Sequence, residues 1–233
     1  MPRESGPKYS EGHDVEEAVL GKVEHGARMS HKEYLEKKER GELRDITDEQ
    51  AWDIVERYQP FEDSSNPKEK PFPKAVLFDV AHNLNISSRQ LRYCTAVESL
   101  LDYRKKDASL KLLLENGRIL RVTLDITLDE EKLIDKQADV PFLWTAHQFD
   151  KKDPEEQNLY KIHYNKSVQE VSMGVSNVFK GKAEENGLVI SSLSLEEIQR
   201  SAELIKQEGE RRTLHLPRRD KPYQPLRRRI YAR

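Results

Sequence analysis

Residues 76–96 read VLFDVAHNLNISSRQLRYCTA, and the shape this stretch takes decides the fold around it. Val80 and Leu84 lie four apart, so on a helix they share one face. Ala81 is small enough for a second helix to cross close by. Asn85 sits at the turn and tolerates the left-handed backbone better than most residues. Ile86 is placed to fill the space between two helices. Ser87 is a good N-cap, because its hydroxyl accepts from a free backbone N–H one turn on. Leu91 and Cys94 then complete a buried seam, which turns Ser88, Arg89, Gln90, Arg92 and Tyr93 outward. The expectation is a helix-turn-helix, with a first helix over residues 76–83 and a second from Ser87. Leu91, Cys94, Val97 and Leu101 continue at helical spacing, so an ordinary helical hairpin running on to Arg104 fits the same residues.

The run from Ala81 to Tyr93, AHNLNISSRQLRY, resembles the recognition segment of MerR-type transcriptional regulators. Those read approximately as Ala, three residues, Gly-Val-Ser, two more, then Thr-Leu-Arg-Tyr. Asn85 stands here where that pattern has Gly. The resemblance implies a DNA-binding helix starting at Ser87, with Arg89 and Arg92 near the DNA. Independently of it, an arginine can read guanine and a glutamine adenine through paired hydrogen bonds.

Composition bounds what surrounds this stretch. The chain has 233 residues, enough for one large or two small domains. It is 36% hydrophobic and 35% charged, with a mean hydropathy of -0.87, so an ordered middle with solvated or partner-bound ends is expected. Residues 1–70 hold 12 Lys/Arg against 18 Asp/Glu, whereas residues 217–233 hold 7 against 1. The front is acidic and the end strongly basic, although the whole has a formal net charge of only -2. Cys94 is the one cysteine, which excludes an internal disulfide. No apolar run approaches a membrane span or the core of a signal peptide, so the expectation is no membrane, no secretion, and a cytoplasmic, nuclear or nucleoid location.

The remaining chain is expected to divide into four parts. Residues 1–60 form a charged helical arm, extended and mostly unpacked to residue 29 apart from a short helix at 14–21. Ser30 with Glu33, and Thr47 with Gln50, have capping-box spacing and open two further helices. Gly41 closes the first of these. Trp52, Val55 and Tyr58 share a face of the second, where Trp52 serves either a local core or a docking arm. Residues 61–73, FEDSSNPKEKPFP, read as a linker. A core follows over residues 74–208. Its clearest signal is a β-hairpin around Asn116-Gly117, with arms at 109–115 and 118–126. Both arms are apolar on both faces, which suits a covered sheet better than an exposed wing bearing Lys111, Arg118 and Arg121. A short acidic helix at 128–137, an aromatic core patch at 140–149, a strand at 159–164 and a strand or helix at 168–179 come next. A short strand at 188–192 follows, and then a helix capped by Ser194 and Glu197 that runs to about residue 208. The fold class is therefore α+β: a helical N-terminal arm, a mixed core with a helix-turn-helix-like hairpin followed by a β-hairpin, and an extended basic C-terminal tail.

That tail, residues 209–233, interleaves Arg218, Arg219, Lys221, Arg227, Arg228 and Arg229 with Tyr223 and Tyr231. Cations bind phosphates and tyrosines stack on bases, a pattern suited to single strands or RNA. The same residues fit a nuclear-localisation segment, an acidic partner surface or a solvated tail. No catalytic signature competes: the histidines do not cluster, Cys94 has no nearby histidine in sequence, and no glycine-rich phosphate loop exists. Asp125 with residues 129–131 could collect a divalent cation, but acidic strand ends and helix starts are ordinary. The expected function is non-catalytic, regulatory nucleic-acid binding, with no metal or cofactor. A structural or adaptor subunit of a larger protein or ribonucleoprotein assembly, held by its extended termini, is the alternative.

Overall fold

The computed structural model describes residues 10–23, 25–58, 70–134, 137–150, 152–201 and 203–204. Its elements run α1 (Ser10–Leu20), α2 (His31–Glu39), α3 (Asp48–Tyr58), α4 (Pro71–Leu84), β1 (Leu91–Thr95), β2 (Ala108–Leu113), β3 (Ile119–Thr127), β4 (Val140–Leu143) and α5 (Gln157–Glu185), with short 3-10 turns between them. The strands form one sheet in the order β1-β2-β3-β4. The first three make an antiparallel meander, and β4 joins β3 in parallel. The class is α+β, as the sequence implies.

Alternation along the strands gives the sheet two unlike faces. Leu110 and Leu112 of β2, with Leu120, Val122, Leu124 and Ile126 of β3, point to one side. There they meet Phe72, Val76, Leu77 and Val80 of α4 and Val168, Val171, Val175 and Phe179 of α5. Phe72 also stacks on Phe142 and lies edge-on to Trp144 and Tyr164. This is the main core. On the other side, Cys94, Ala96, Leu100 and Leu101 form a separate cluster with Ala51, Trp52 and Val55 of α3. The local-core role for Trp52 therefore holds: it is 2% exposed.

The arm packs more closely than its composition implies. Val19, Leu20 and Val23 are buried, so residues before 29 are not loose throughout. The Ser30 and Thr47 caps form as expected, with Glu33 N–H donating to Ser30 Oγ at 3.2 Å and Gln50 N–H to Thr47 Oγ1 at 3.2 Å. The linker reading extends too far. Helix α4 already begins at Pro71, because a helix leaves its first N–H groups unpaired and proline there loses nothing. Asn85 then adopts the left-handed conformation foreseen for it, with φ 52° and ψ 49°, and ends α4.

The expected second helix does not form. Ser87 caps only a 3-10 turn, Ser88–Gln90, and Leu91–Thr95 is strand. Leu91, Tyr93 and Thr95 alternate with Arg92 and Cys94, and pairing with β2 outweighs the helical signal. The β-hairpin does form, but it turns through a 3-10 turn, Glu115–Gly117, with Gly117 at φ +75°. Of the helix expected at 128–137, the described residues give a 3-10 turn at Glu130–Leu133. The strand expected at 159–164 is instead helical, and 168–179, open between strand and helix, is helical too: both belong to one 29-residue helix, α5. Residues 188–194 carry no regular structure, and the helix capped by Ser194 is described over 195–201 and 203–204.

Candidate functional site

The five outward residues expected of a recognition helix do not make one surface. Gln90 is fully buried: its Nε2 donates to Leu113 O at 3.2 Å and Ser191 O at 3.0 Å, and its Oε1 accepts from Leu193 N–H at 2.9 Å. A glutamine that ties the 3-10 turn to β2 and to residues 191–193 cannot read a base. Tyr93 donates from its hydroxyl to Leu20 O at 2.8 Å, and burial pushes that hydroxyl well above its usual pKa. Arg92 folds back onto its own chain, donating to Arg89 O at 2.9 Å and Leu91 O at 3.1 Å. Ser88 is half-buried, and Arg89 is exposed. The tail residues Arg218, Arg219, Lys221, Arg227, Arg228 and Arg229 lie outside the described residues.

Strand pairing instead assembles a group of charges that the linear sequence keeps far apart. Arg92 of β1 pairs with Lys111 of β2, and Lys111 pairs with Arg121 of β3. Three cations thus lie in register across the sheet, an arrangement that like-charge repulsion disfavours unless it is neutralised. Helix α3 supplies the counter-charge. Glu56 bridges Lys111 and Arg121, its Oε1 lying 2.7 Å from Arg121 Nη2. One turn earlier, the Trp52 ring lies under the Arg121 guanidinium at 5.2 Å. One more turn earlier, Asp48 bridges Lys106 and Arg104, the latter at 2.7 Å. Burial raises the Asp48 pKa, but the hydrogen bonds from Lys106 and Arg104 outweigh it and hold the carboxyl below its usual range. Burial lowers Lys111, with Glu56 opposing.

Sequence reasoning had part of this within reach. Lys111 and Arg121 are each five residues from Asn116, so a hairpin centred there sets them opposite. Asp48, Trp52 and Glu56 follow one another at four-residue spacing and so share a helix face. Nothing local says that α3 lies on β2 and β3.

A second charged group sits at the end of β2 where the β1–β2 connection returns. Glu16 of α1, Asp102 and Asp107 bring one carboxylate oxygen each to within 4.8 Å of one another. Asp107 is buried beside Asp125, and its carboxylate accepts from Ile126 N–H at 2.7 Å. Burial pushes the Asp107 pKa well up, and Asp125, Glu16 and Asp102 push it further against that one hydrogen bond. Three carboxylates of this kind can hold a hard divalent cation with water completing the shell. They account equally for a carboxyl that stays protonated. Asp129, proposed from sequence as a partner for Asp125, is used as a cap, accepting from Glu131 N–H at 3.0 Å.

Two further groups have ordinary structural explanations. Thr145 Oγ1 and His163 Nδ1 are 2.8 Å apart, beside the Phe149 ring. Burial pushes the Cys94 thiol up to about 12, which removes it as a nucleophile at neutral pH. Comparison with protein-family models, with curated proteins and with solved structures gives no match.

Proposed function

We propose that the chain is a non-catalytic adaptor subunit of a larger protein assembly. The observation that carries this reading is the outer surface of the α4–α5 layer. Both helices fill the main core with their inner faces, yet Phe78 of α4 is 69% exposed and Met173 of α5 is 61% exposed. Leu159 and Ile162 add exposed apolar surface on the first turns of α5. Large apolar side chains on the outward positions of core helices suit a partner surface. Arg92, Gln90 and Tyr93 support the same choice from the other direction, since each is committed to intramolecular bonds. Among the described residues, no helix is long and apolar enough to cross a membrane.

The test places a photo-crosslinking side chain at 78, at 173 and at the polar control position Gln169, in the full chain expressed in its native host. One discrete conjugate from 78 and 173, absent from 169, is the expected result. No conjugate at either apolar position contradicts it.

Nucleic-acid binding enters as a second reading through the basic tail and the exposed Arg89. It predicts that removing residues 209–233 lowers the log–log salt slope of RNA binding by about 0.7 for each phosphate the tail neutralises. Arg89→Ala with Arg92→Ala is expected to change duplex binding little, because no recognition helix holds them. A large loss of duplex affinity in that double variant would restore the DNA-reading account.

A further inference from the structure

Beyond α5 and the turn that closes it, the chain runs straight. Residues 188–194, LVISSLS, make neither turn nor bend before the helix capped by Ser194. One side chain pins the inner edge of this segment. Gln90 Nε2 donates to Ser191 O at 3.0 Å, and Gln90 Oε1 accepts from Leu193 N–H at 2.9 Å. A carbonyl and the N–H two residues on are the groups that one residue of a parallel strand would engage, so the Gln90 amide takes that residue's place. In an extended chain the main-chain groups of successive residues point to alternate edges. Residues 191 and 193 therefore turn theirs toward Gln90, and Ile190 and Ser192 turn theirs the other way. Among the described residues, the main-chain groups of Ile190 and Ser192 have no hydrogen-bond partner.

The edges of the four-stranded sheet are treated differently. On β4 the exposed Pro141 has no N–H to offer. Along β1, Tyr93 and Thr95 donate from their hydroxyls to Leu20 O and Gly21 O, and Arg92 donates to Leu91 O. The edge at 188–194 has none of these devices. In a chain that is 35% charged, residues 187–195 hold no charge and no proline. Val189 is 78% exposed. A straight, uncharged edge with open N–H and C=O groups is what sheets usually avoid presenting to solvent.

We propose that residues 188–194 are the pairing edge of a homodimer, in which the same segment of a second copy runs antiparallel with the twofold axis at Ser191. The hydrogen-bonding pattern selects a second copy as the occupant. Open groups on Ile190 and Ser192 are self-complementary about the residue between them. Ile190 N–H donates to the second copy's Ser192 O, Ser192 N–H donates to the second copy's Ile190 O, and symmetry repeats both. Every open group on the edge is then used. The absence of charge points the same way, because a strand that pairs with itself sets no like charges opposite each other. This edge is separate from Phe78 and Met173 and does not depend on the adaptor reading.

Pairing in this register sets Ser191 opposite itself, with Cα atoms about 4.5 Å apart, within reach of a disulfide. Cys94, the one native cysteine, is 1% exposed and does not compete. The full chain carrying Ser191→Cys is oxidised mildly beside the full chain carrying Ser192→Cys. Both serines are exposed, but Ser192 faces Ile190 of the copy, which leaves the two introduced thiols on a diagonal. Covalent dimer is expected about tenfold faster from position 191. Sedimentation of the unmodified chain should show dimer growing with concentration. Ser192→Pro removes an outward N–H and should raise the dimer dissociation constant about tenfold or more. Val189→Lys charges the edge and should act in the same direction, and it carries the comparison if Ser192→Pro fails to fold. A chain that stays monomeric at every concentration overturns the proposal. So do equal cross-linking rates at 191 and 192, or a dimer that a folded edge variant leaves unchanged.

Discussion

On one face of the sheet, α4 and α5 set Phe72, Val76, Val80, Val171 and Phe179 against leucines, valines and isoleucine of β2 and β3. On the other, α3 sets a tryptophan, a valine and an alanine, with two carboxylates, against four cations. The first contact is non-directional and scales with the apolar area removed from water. The second works through a carboxylate shared between Lys111 and Arg121 and a tryptophan ring under the guanidinium, and partial burial makes each unmatched charge expensive. The difference separates two kinds of hold. The apolar face is held by buried area, and the charged face by the geometry of its ion pairs.

The largest expected effect comes from the apolar side. Phe179 is fully buried between α5 and the sheet, and Phe179→Ala should cost about 3–5 kcal/mol of global stability by urea denaturation. That loss should be the same at low and at high salt. On the charged side, Glu56→Gln leaves Lys111 and Arg121 without their shared carboxylate and should cost about 2–3 kcal/mol. Its effect should shrink as ionic strength rises, which is the behaviour that marks the two faces as different. If both substitutions respond to salt alike, the division fails.

Acid should also separate the faces. The Asp48 pKa is held below its unfolded value, so its contribution is present above that value and is lost as pH falls through the lowered one. Asp139, paired with Lys182 at 2.8 Å and bonded to Thr123, follows the same sign. Cys94 labelling should therefore rise below about pH 4, when corrected for thiolate fraction, before α4 and α5 melt. The smallest effect has the opposite sign. Asp107 has a raised pKa in the folded state, so its contribution is present below the unfolded value and is lost as pH rises through the raised one. Asp107→Asn removes that loss and should raise the melting temperature at neutral pH by ~2–4 °C, corresponding to roughly 1 kcal/mol. The gain should vanish toward pH 4, and a neutral-pH decrease would mean that the ionised carboxylate is needed.

How far the sequence could be followed depends on where the deciding interaction lies. The caps at Ser30, Thr47 and Ser194, the left-handed Asn85 and the hairpin at Asn116-Gly117 are local, and all of them form. The Ser87–Gln90 capping box also forms, yet the helix it signals stops after one turn. Gln90 is held instead by Leu113, Ser191 and Leu193, up to 103 positions away in sequence. The sequence left 168–179 open between strand and helix for another reason. The buried face of α5 mixes Val168, Val171 and Val175, which favour strands, with Ser167, Ser172 and Ser176, which blur an apolar stripe. Ser176 Oγ returns to Ser172 O at 2.7 Å, satisfying itself within the helix. The cationic row was the least legible feature, because Arg92 meets Lys111 only once residues 91–95 are strand rather than helix.

Native-state hydrogen exchange resolves α3 and the α4–α5 pair within one experiment, amide by amide. Separate covers should open separately: α3 amides would exchange through a low-energy local opening, accelerated by salt, while those of α4 and α5 wait for global unfolding. A common, salt-independent ceiling for all three helices would mean that the charged face is an inseparable part of the core, and the account of two differently held faces would be wrong.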